Sequence, residues 1–93
     1  MADSPMEKNG IGNISEISFP YTATSDGFVH ISLNNDPGKV AAYHLQIGTR
    51  FLYTTAPASS MSNSAPVKCG ETISHLYHEN VATCAVYFIP LKT

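Results

Sequence analysis

The C-terminal end of the chain carries the feature that most constrains the fold, a run of eleven residues that is apolar on both alternating faces. The run VATCAVYFIPL extends from Val81 to Leu91 and is rich in β-branched and aromatic residues. Side chains of a strand alternate between its two faces, so both faces of this strand carry apolar groups. We expect an opposing sheet to cover one face and, most simply, another copy of the chain to cover the other.

Period-two alternation elsewhere predicts further strands and no helix. Asn34–Gly38 is the strongest turn signal, and Ser25-Asp26-Gly27 is a further turn in which Gly27 is free to take a positive φ. Six or seven strands at this spacing predict an all-β fold, a two-sheet antiparallel β-sandwich resembling a jelly roll. The expected strands besides the last are 14–19, 28–33, 40–47, 50–55 and 73–77. The expected core residues are Val29, Ile31, Leu45, Ile73, Val86 and Phe88.

The chain of 93 residues is expected to hold one sandwich domain, residues 14–93, preceded by a flexible arm, residues 1–13. The arm, MADSPMEKNGIGN, has no hydrophobic stretch typical of a signal peptide. Cys69 and Cys84 have no metal-binding spacing. We therefore expect synthesis in a reducing compartment and two free thiols.

Charged residues make up only 13% of the chain, against about 25% in an average soluble domain. This scarcity favours a surface that is partly covered by another subunit, although Ser, Thr and Asn side chains would also explain it. The net charge of −2 and the lack of a basic run argue against nucleic acid as a partner. No apolar segment reaches the length of about 20 residues that a membrane span needs.

The four histidines and several of the nine Phe and Tyr residues are candidates for an interface. His30 and His44 would lie opposite each other if Asn34–Gly38 closed a hairpin, and Phe28 lies on the same polar face as His30. His75 and His78 would point to opposite faces of a strand, which makes them a poor chelating pair. We expect no metal site and no cofactor. The predicted interface residues are Phe28, His30, His44 and Tyr87.

The segment Ala56–Pro66 consists of small or polar residues between prolines and is predicted to be a surface loop. Its hydroxyl and amide groups would suit a sugar, and Tyr53 would add a stacking face, but the segment is equally explained as a simple surface excursion. Aromatic residues in a tryptophan-free domain are more often core or interface than sugar platforms. The predicted binding residues are Tyr53, Ser59, Ser60, Met61, Ser62 and Asn63.

Catalytic motifs are missing from the sequence. It has no nucleophile elbow, no HExxH and no glycine-rich phosphate loop. We therefore expect a protein that is not an enzyme.

Four sequence stretches resemble those of small β-sandwich domains in bacteriophage structural proteins. They are YTATSDGFVHI, LQIGTRF, APVKCGETI and CAVYFIPLK, and the resemblance as a whole covers residues 19–92. Cys69 stands where that pattern usually has a second lysine. Such domains are similar in layout to the jelly-roll trimers of the tumour necrosis factor and complement globular-head superfamily.

The resemblance implies a homotrimer in a virion, as a short fibre tip, head fibre or decoration protein, that associates with other virion proteins. Several domains of this kind bind host surface glycans, which implies a glycan as a further partner. Two alternatives remain open at this point. One is a free-standing carbohydrate-binding module, and the other is a phage-encoded protein that sequesters a small host signalling molecule between its subunits.

Overall fold

The computed structural model describes residues 13–56 and 60–91, which form eight β-strands and no helix. The strands are β1 (Ser15–Glu16), β2 (Tyr21–Thr22), β3 (Gly27–Asn35), β4 (Ala41–Ile47), β5 (Arg50–Ala56), β6 (Ser60–Val67), β7 (Thr72–Glu79) and β8 (Val81–Pro90). The first sheet has the order β1-β8-β3-β6, and the second has the order β2-β7-β4-β5. All pairings are antiparallel, so the predicted all-β, two-sheet sandwich is confirmed. Across these residues, no helix has the length and apolarity needed to cross a membrane.

The core lies between the two sheets and is built from alternate residues of the long strands. All six residues predicted for the core are buried, with exposed fractions of 4% or less. The ring of Phe88 packs against Tyr21 of the second sheet, with ring centroids 5.4 Å apart. The alternation therefore identified correctly which face of each long strand points inward.

The turn Asn34–Gly38 carries the chain from one sheet to the other and does not close a hairpin. β3 pairs with β6 and β8, whereas β4 pairs with β5 and β7. The crossing is fixed by Asn80, whose carbonyl accepts from the Asp36 N–H at 2.8 Å. The Asn80 side-chain amide donates to the Val40 carbonyl at 3.0 Å. β3 and β4 therefore form no hairpin, which was the condition for His30 to face His44.

Two of the stretches that carry the phage resemblance contact each other. The carboxylate of Asp26 accepts a hydrogen bond from the Cys69 N–H at 2.9 Å, and the Ala23 carbonyl accepts from the Gly70 N–H at 2.8 Å. These bonds hold the turn before β3 against the turn between β6 and β7. The stretches YTATSDGFVHI and APVKCGETI therefore both help to hold these two turns together in the fold.

Gly27 is required by close packing and not by an unusual backbone angle. Among the described residues, the glycines with positive φ are Gly38, Gly48 and Gly70, so Gly27 does not use the positive φ that glycine permits. A Cβ at Gly27 would meet the Ile89 carbonyl and the ring of Phe88. Only glycine lets β3 approach β8 this closely at that position.

Part of the predicted loop Ala56–Pro66 is a strand, β6, at the edge of the first sheet, and this corrects the loop prediction. Met61, Asn63 and Ala65 pair with the buried residues of β3, while the serines between them point outward. An edge strand has one neighbour and one covered face, so small polar residues are tolerated along it. Residues 57–59 lie outside the described residues.

Candidate binding faces

The outer face of the first sheet carries three of the four predicted interface residues. Phe28 on β3 pairs with Ile89 on β8, and His30 pairs with Tyr87. Phe28 is 39% exposed, and the other three are half-buried. Neighbours across antiparallel strands share a face, so these four side chains form one continuous surface, called here the first outer face. His44 does not belong to it.

The outer face of the second sheet carries a row of rings, called here the aromatic array: Phe51, Tyr53, His44 and Tyr77. Phe51 and Tyr53 are two residues apart on β5, with ring centroids 6.0 Å apart and planes at 12°. His44 lies between Tyr53, at 4.5 Å, and Tyr77, at 5.4 Å. The three larger rings are 45–60% exposed. The array therefore presents apolar ring surface to solvent on the sheet opposite the first outer face.

The strand register explains why these rings meet. His44 on β4 pairs with Tyr53 on one side and with Tyr77 on the other, which places the three side chains in one row across the sheet. Gln46 and Thr55 share the same face and add neutral hydrogen-bonding groups. The array thus combines stacking surface with uncharged polar groups.

One carboxylate lies beside the array. The Tyr77 hydroxyl donates to Glu79 Oε2 at 2.9 Å. This hydrogen bond, together with partial desolvation and the negative charge of Glu79, raises the pKa of Tyr77 above its ordinary value. Tyr77 therefore remains a neutral phenol, with its hydroxyl bound to the Glu79 carboxylate.

The predicted binding residues do not come together as one site. Tyr53 lies in the aromatic array of the second sheet, whereas Ser60, Met61, Ser62 and Asn63 lie on β6 of the first sheet. Within β6 they are divided again, because only the two serines share the outward side with Phe28 and His30. Asn63 points inward, where its amide donates to the Thr54 hydroxyl at 3.3 Å. Ser59 lies outside the described residues.

The structure does not bring His30 and His44 together, and the expectation that His75 and His78 point to opposite faces is wrong. His30 and His44 lie on different sheets and on opposite outer faces of the sandwich. His75 and His78 meet on one side of β7, with His75 Nε2 2.9 Å from His78 Nδ1. The pairing of β7 with β4 shifts at Leu76, so the bulge turns both imidazoles to the same face.

A charged pocket of about 260 Å³ lies at one end of the sandwich and was not foreseen from the sequence. The Glu71 carboxylate accepts from the Arg50 guanidinium at 2.6 Å and from the Lys68 N–H at 2.8 Å. Arg50 also donates to the Pro66 carbonyl at 2.9 Å. The bond from the Lys68 N–H, and then the guanidinium, hold the pKa of Glu71 below its usual value. The groups that line the pocket are hydrogen-bonded to one another. Arg50 and Glu71 lie far apart in the sequence, so no motif spacing predicts the pocket.

The two cysteines are free thiols, as predicted. Cys69 is exposed and Cys84 is half-buried beside Tyr43. Burial raises the pKa of Cys84 to about 11, so this thiol stays protonated at neutral pH. A protonated, half-buried thiol is a poor nucleophile.

Comparison with known proteins gives no match, whether with protein-family models, curated proteins or solved structures. The features that bear on function are therefore the two outer faces and the sequence resemblance.

Proposed function

We propose that the chain is a non-enzymatic structural protein of a bacteriophage virion, a short fibre tip, head fibre or decoration protein, that forms a homotrimer and binds host surface glycans. The observation that carries the proposal is the first outer face, where Phe28, Ile89 and Tyr87 form an apolar surface on a sheet whose other side is already core. Glu16 of β1 pairs with Tyr87 at the edge of this face, and the apolar surface beside it is typical of an interface between subunits.

The strand order supports a jelly-roll fold within this proposal. Consecutive strands change sheet at every connection except the one between β4 and β5, which form a hairpin. The two sheets have the orders β1-β8-β3-β6 and β2-β7-β4-β5, and these orders support the proposed eight-stranded double Greek key. Jelly rolls of this layout are common in capsid and lectin domains.

Self-association through the first outer face is supported by the composition of that face. β8 is apolar on both sides, and the core covers only the side that carries Val86 and Phe88. Its other side carries Tyr87 and Ile89, and burial of these side chains against another copy of the chain gives the largest stabilisation. A closed ring of three subunits uses one such face per subunit and leaves no open contact.

Glycan binding is supported by the aromatic array, which replaces the predicted loop as the proposed site. Exposed rings stack on the apolar faces of sugars, and Gln46 and Thr55 supply neutral hydrogen-bonding groups beside them. The array is on the opposite sheet from the proposed trimer contact, so both can be used at once. The same observation supports the second candidate function, a free-standing carbohydrate-binding module.

The deciding experiment is multi-angle light scattering of the tag-free protein at micromolar concentration, followed by a glycan array. A trimer of the 10.0 kDa chain has a mass of about 30 kDa. A mass of 10 kDa would overturn the structural-protein proposal, and a 10 kDa species that binds sugars would favour the carbohydrate-binding module. Mass spectrometry of purified particles of the encoding phage should detect the chain, and its absence there would overturn the virion location.

A further inference from the structure

The histidine pair on β7 has the geometry of a chelating site. His75 Nε2 and His78 Nδ1 are 2.9 Å apart and share one proton in a hydrogen bond. The bulge at Leu76 creates this arrangement, because a regular strand would place residues three apart on opposite faces. Each imidazole can offer a nitrogen lone pair to a metal when it is neutral.

Neighbouring rings hold the two imidazoles in place while leaving them accessible. Tyr43 meets His75 edge-on, with centroids 5.1 Å apart, and stacks on His78 at 6.0 Å. The ring of Phe19 lies 6.4 Å from His75 on another side. Both histidines are nevertheless exposed. An ion can therefore reach the pair from solvent without opening the core.

We propose that His75 and His78 together bind one divalent transition-metal ion, with Ni²⁺ and Cu²⁺ preferred. Metal–nitrogen bonds of about 2.05 Å place two ligands at a right angle about 2.9 Å apart, and two tetrahedral ligands about 3.3 Å apart. The observed nitrogen–nitrogen distance of 2.9 Å is that of a hydrogen bond, and it brings both nitrogens close enough to reach one ion, while imidazole ligands suit Ni²⁺ and Cu²⁺. Binding requires both rings to turn so that the two lone pairs point at one ion, and the ring that donated the hydrogen bond then carries its proton on its other nitrogen.

The chemistry of the site sets its selectivity. Within the described residues, no third His, Cys, Asp or Glu completes a metal-binding group with this pair, so water fills the remaining positions. Two imidazoles favour ions in the order Cu²⁺, then Ni²⁺, with Mg²⁺ and Ca²⁺ excluded because they prefer oxygen ligands.

The test is isothermal titration calorimetry with NiCl₂ and CuCl₂ on the tag-free chain. All variants carry Cys69→Ser, because the exposed thiol is itself a soft metal ligand. We expect one ion per chain, with Cu²⁺ bound more tightly than Ni²⁺. Either His75→Ala or His78→Ala should weaken Ni²⁺ binding by about tenfold or more. His44→Gln is the matched control, since it also removes one histidine but leaves the pair intact. Its affinity for Ni²⁺ should equal that of the parent.

Two results would overturn the proposal. One is a parent that takes up no Ni²⁺ at about 1 mM, which corresponds to about −4 kcal/mol of binding free energy. The other is a His75→Ala, His78→Ala double variant that keeps the stoichiometry and affinity of the parent. The double variant His75→Gln, His78→Gln, checked by circular dichroism, separates loss of the ligands from loss of the fold.

Discussion

Replacing Phe28 by serine should dissociate the proposed trimer while leaving the single chain folded. Phe28 is 39% exposed in the single chain, which is about 80 Å² of a side chain of about 200 Å². Burying this area contributes about 2 kcal/mol per subunit, or about 6 kcal/mol for three subunits. Its loss raises the trimer dissociation constant by about 10⁴, and the concentration of half-dissociation by about 100-fold, because that concentration follows the square root of the constant.

The assay is sedimentation equilibrium over a dilution series, with a matched variant on the opposite face. Phe51→Ser makes the same substitution at a side chain that is 56% exposed on the second sheet. It should leave the half-dissociation concentration within about threefold of the parent, which is about ninefold in the trimer dissociation constant or about 1.3 kcal/mol. Thermal melts check the fold, since a substitution at an exposed strand position changes stability by about 1 kcal/mol or less.

The reasoning is refuted if Phe28→Ser dissociates at the same concentration as the parent. If instead Phe51→Ser disrupts the oligomer and Phe28→Ser does not, the subunits meet through the aromatic array. In that case the array is an interface and not a sugar site.

Three further predictions follow from individual contacts. Gly27→Ala should lower the free energy of unfolding by about 1–3 kcal/mol in urea titrations, because a Cβ there meets the Ile89 carbonyl; an unchanged midpoint would contradict the close packing. Tyr53→Ala should weaken glycan binding by about tenfold in calorimetry, whereas Ser62→Ala on β6 should not; equal losses would contradict a site in the array. The pKa of Glu71 in the folded chain lies below its ordinary value of 4.5, so the ionised carboxylate stabilises the fold. This stabilisation is complete above pH 4.5 and is lost as the pH falls through the lower folded-state pKa. The parent should therefore be more stable than Glu71→Gln at pH 7, and the difference should shrink towards pH 3; a constant difference would refute the contribution of the charge.

The core could be predicted from the sequence, but the pairing of the strands could not. Val29 and Ile31 on β3, like Val86 and Phe88 on β8, show their inward face through alternation alone. Sheet membership depends on whether a turn closes a hairpin or crosses between the sheets, and Asn34–Gly38 has residues compatible with both. The bond between Asp36 and Asn80, far apart in sequence, decides it.

The missed features each depend on one local departure from regular patterns. β6 alternates Met61, Asn63 and Ala65 with serines, but polar and small side chains conceal the alternation. The bulge at Leu76 reverses the side to which His75 points relative to His78, and a one-residue shift of this kind has no sequence signal here. Only part of the aromatic array could be predicted from the sequence. Alternation places Phe51 and Tyr53 on one face, whereas their neighbours across the sheet depend on the strand register.

The placement of the two faces has a consequence for binding strength. A trimer that closes through the first outer face carries three aromatic arrays on its outside, each on a sheet that takes no part in the contact. Single stacked rings bind sugars weakly, with about 0.5–1.5 kcal/mol for each ring contact. Three linked copies that engage one glycan-coated surface raise the overall affinity by about 10²–10⁴ without any new contact, provided the geometry allows simultaneous binding. Attachment of a protein with weak sites therefore depends on the trimer, and Phe28→Ser should abolish adhesion to a glycan-coated surface while leaving the affinity of a single array for a soluble sugar unchanged.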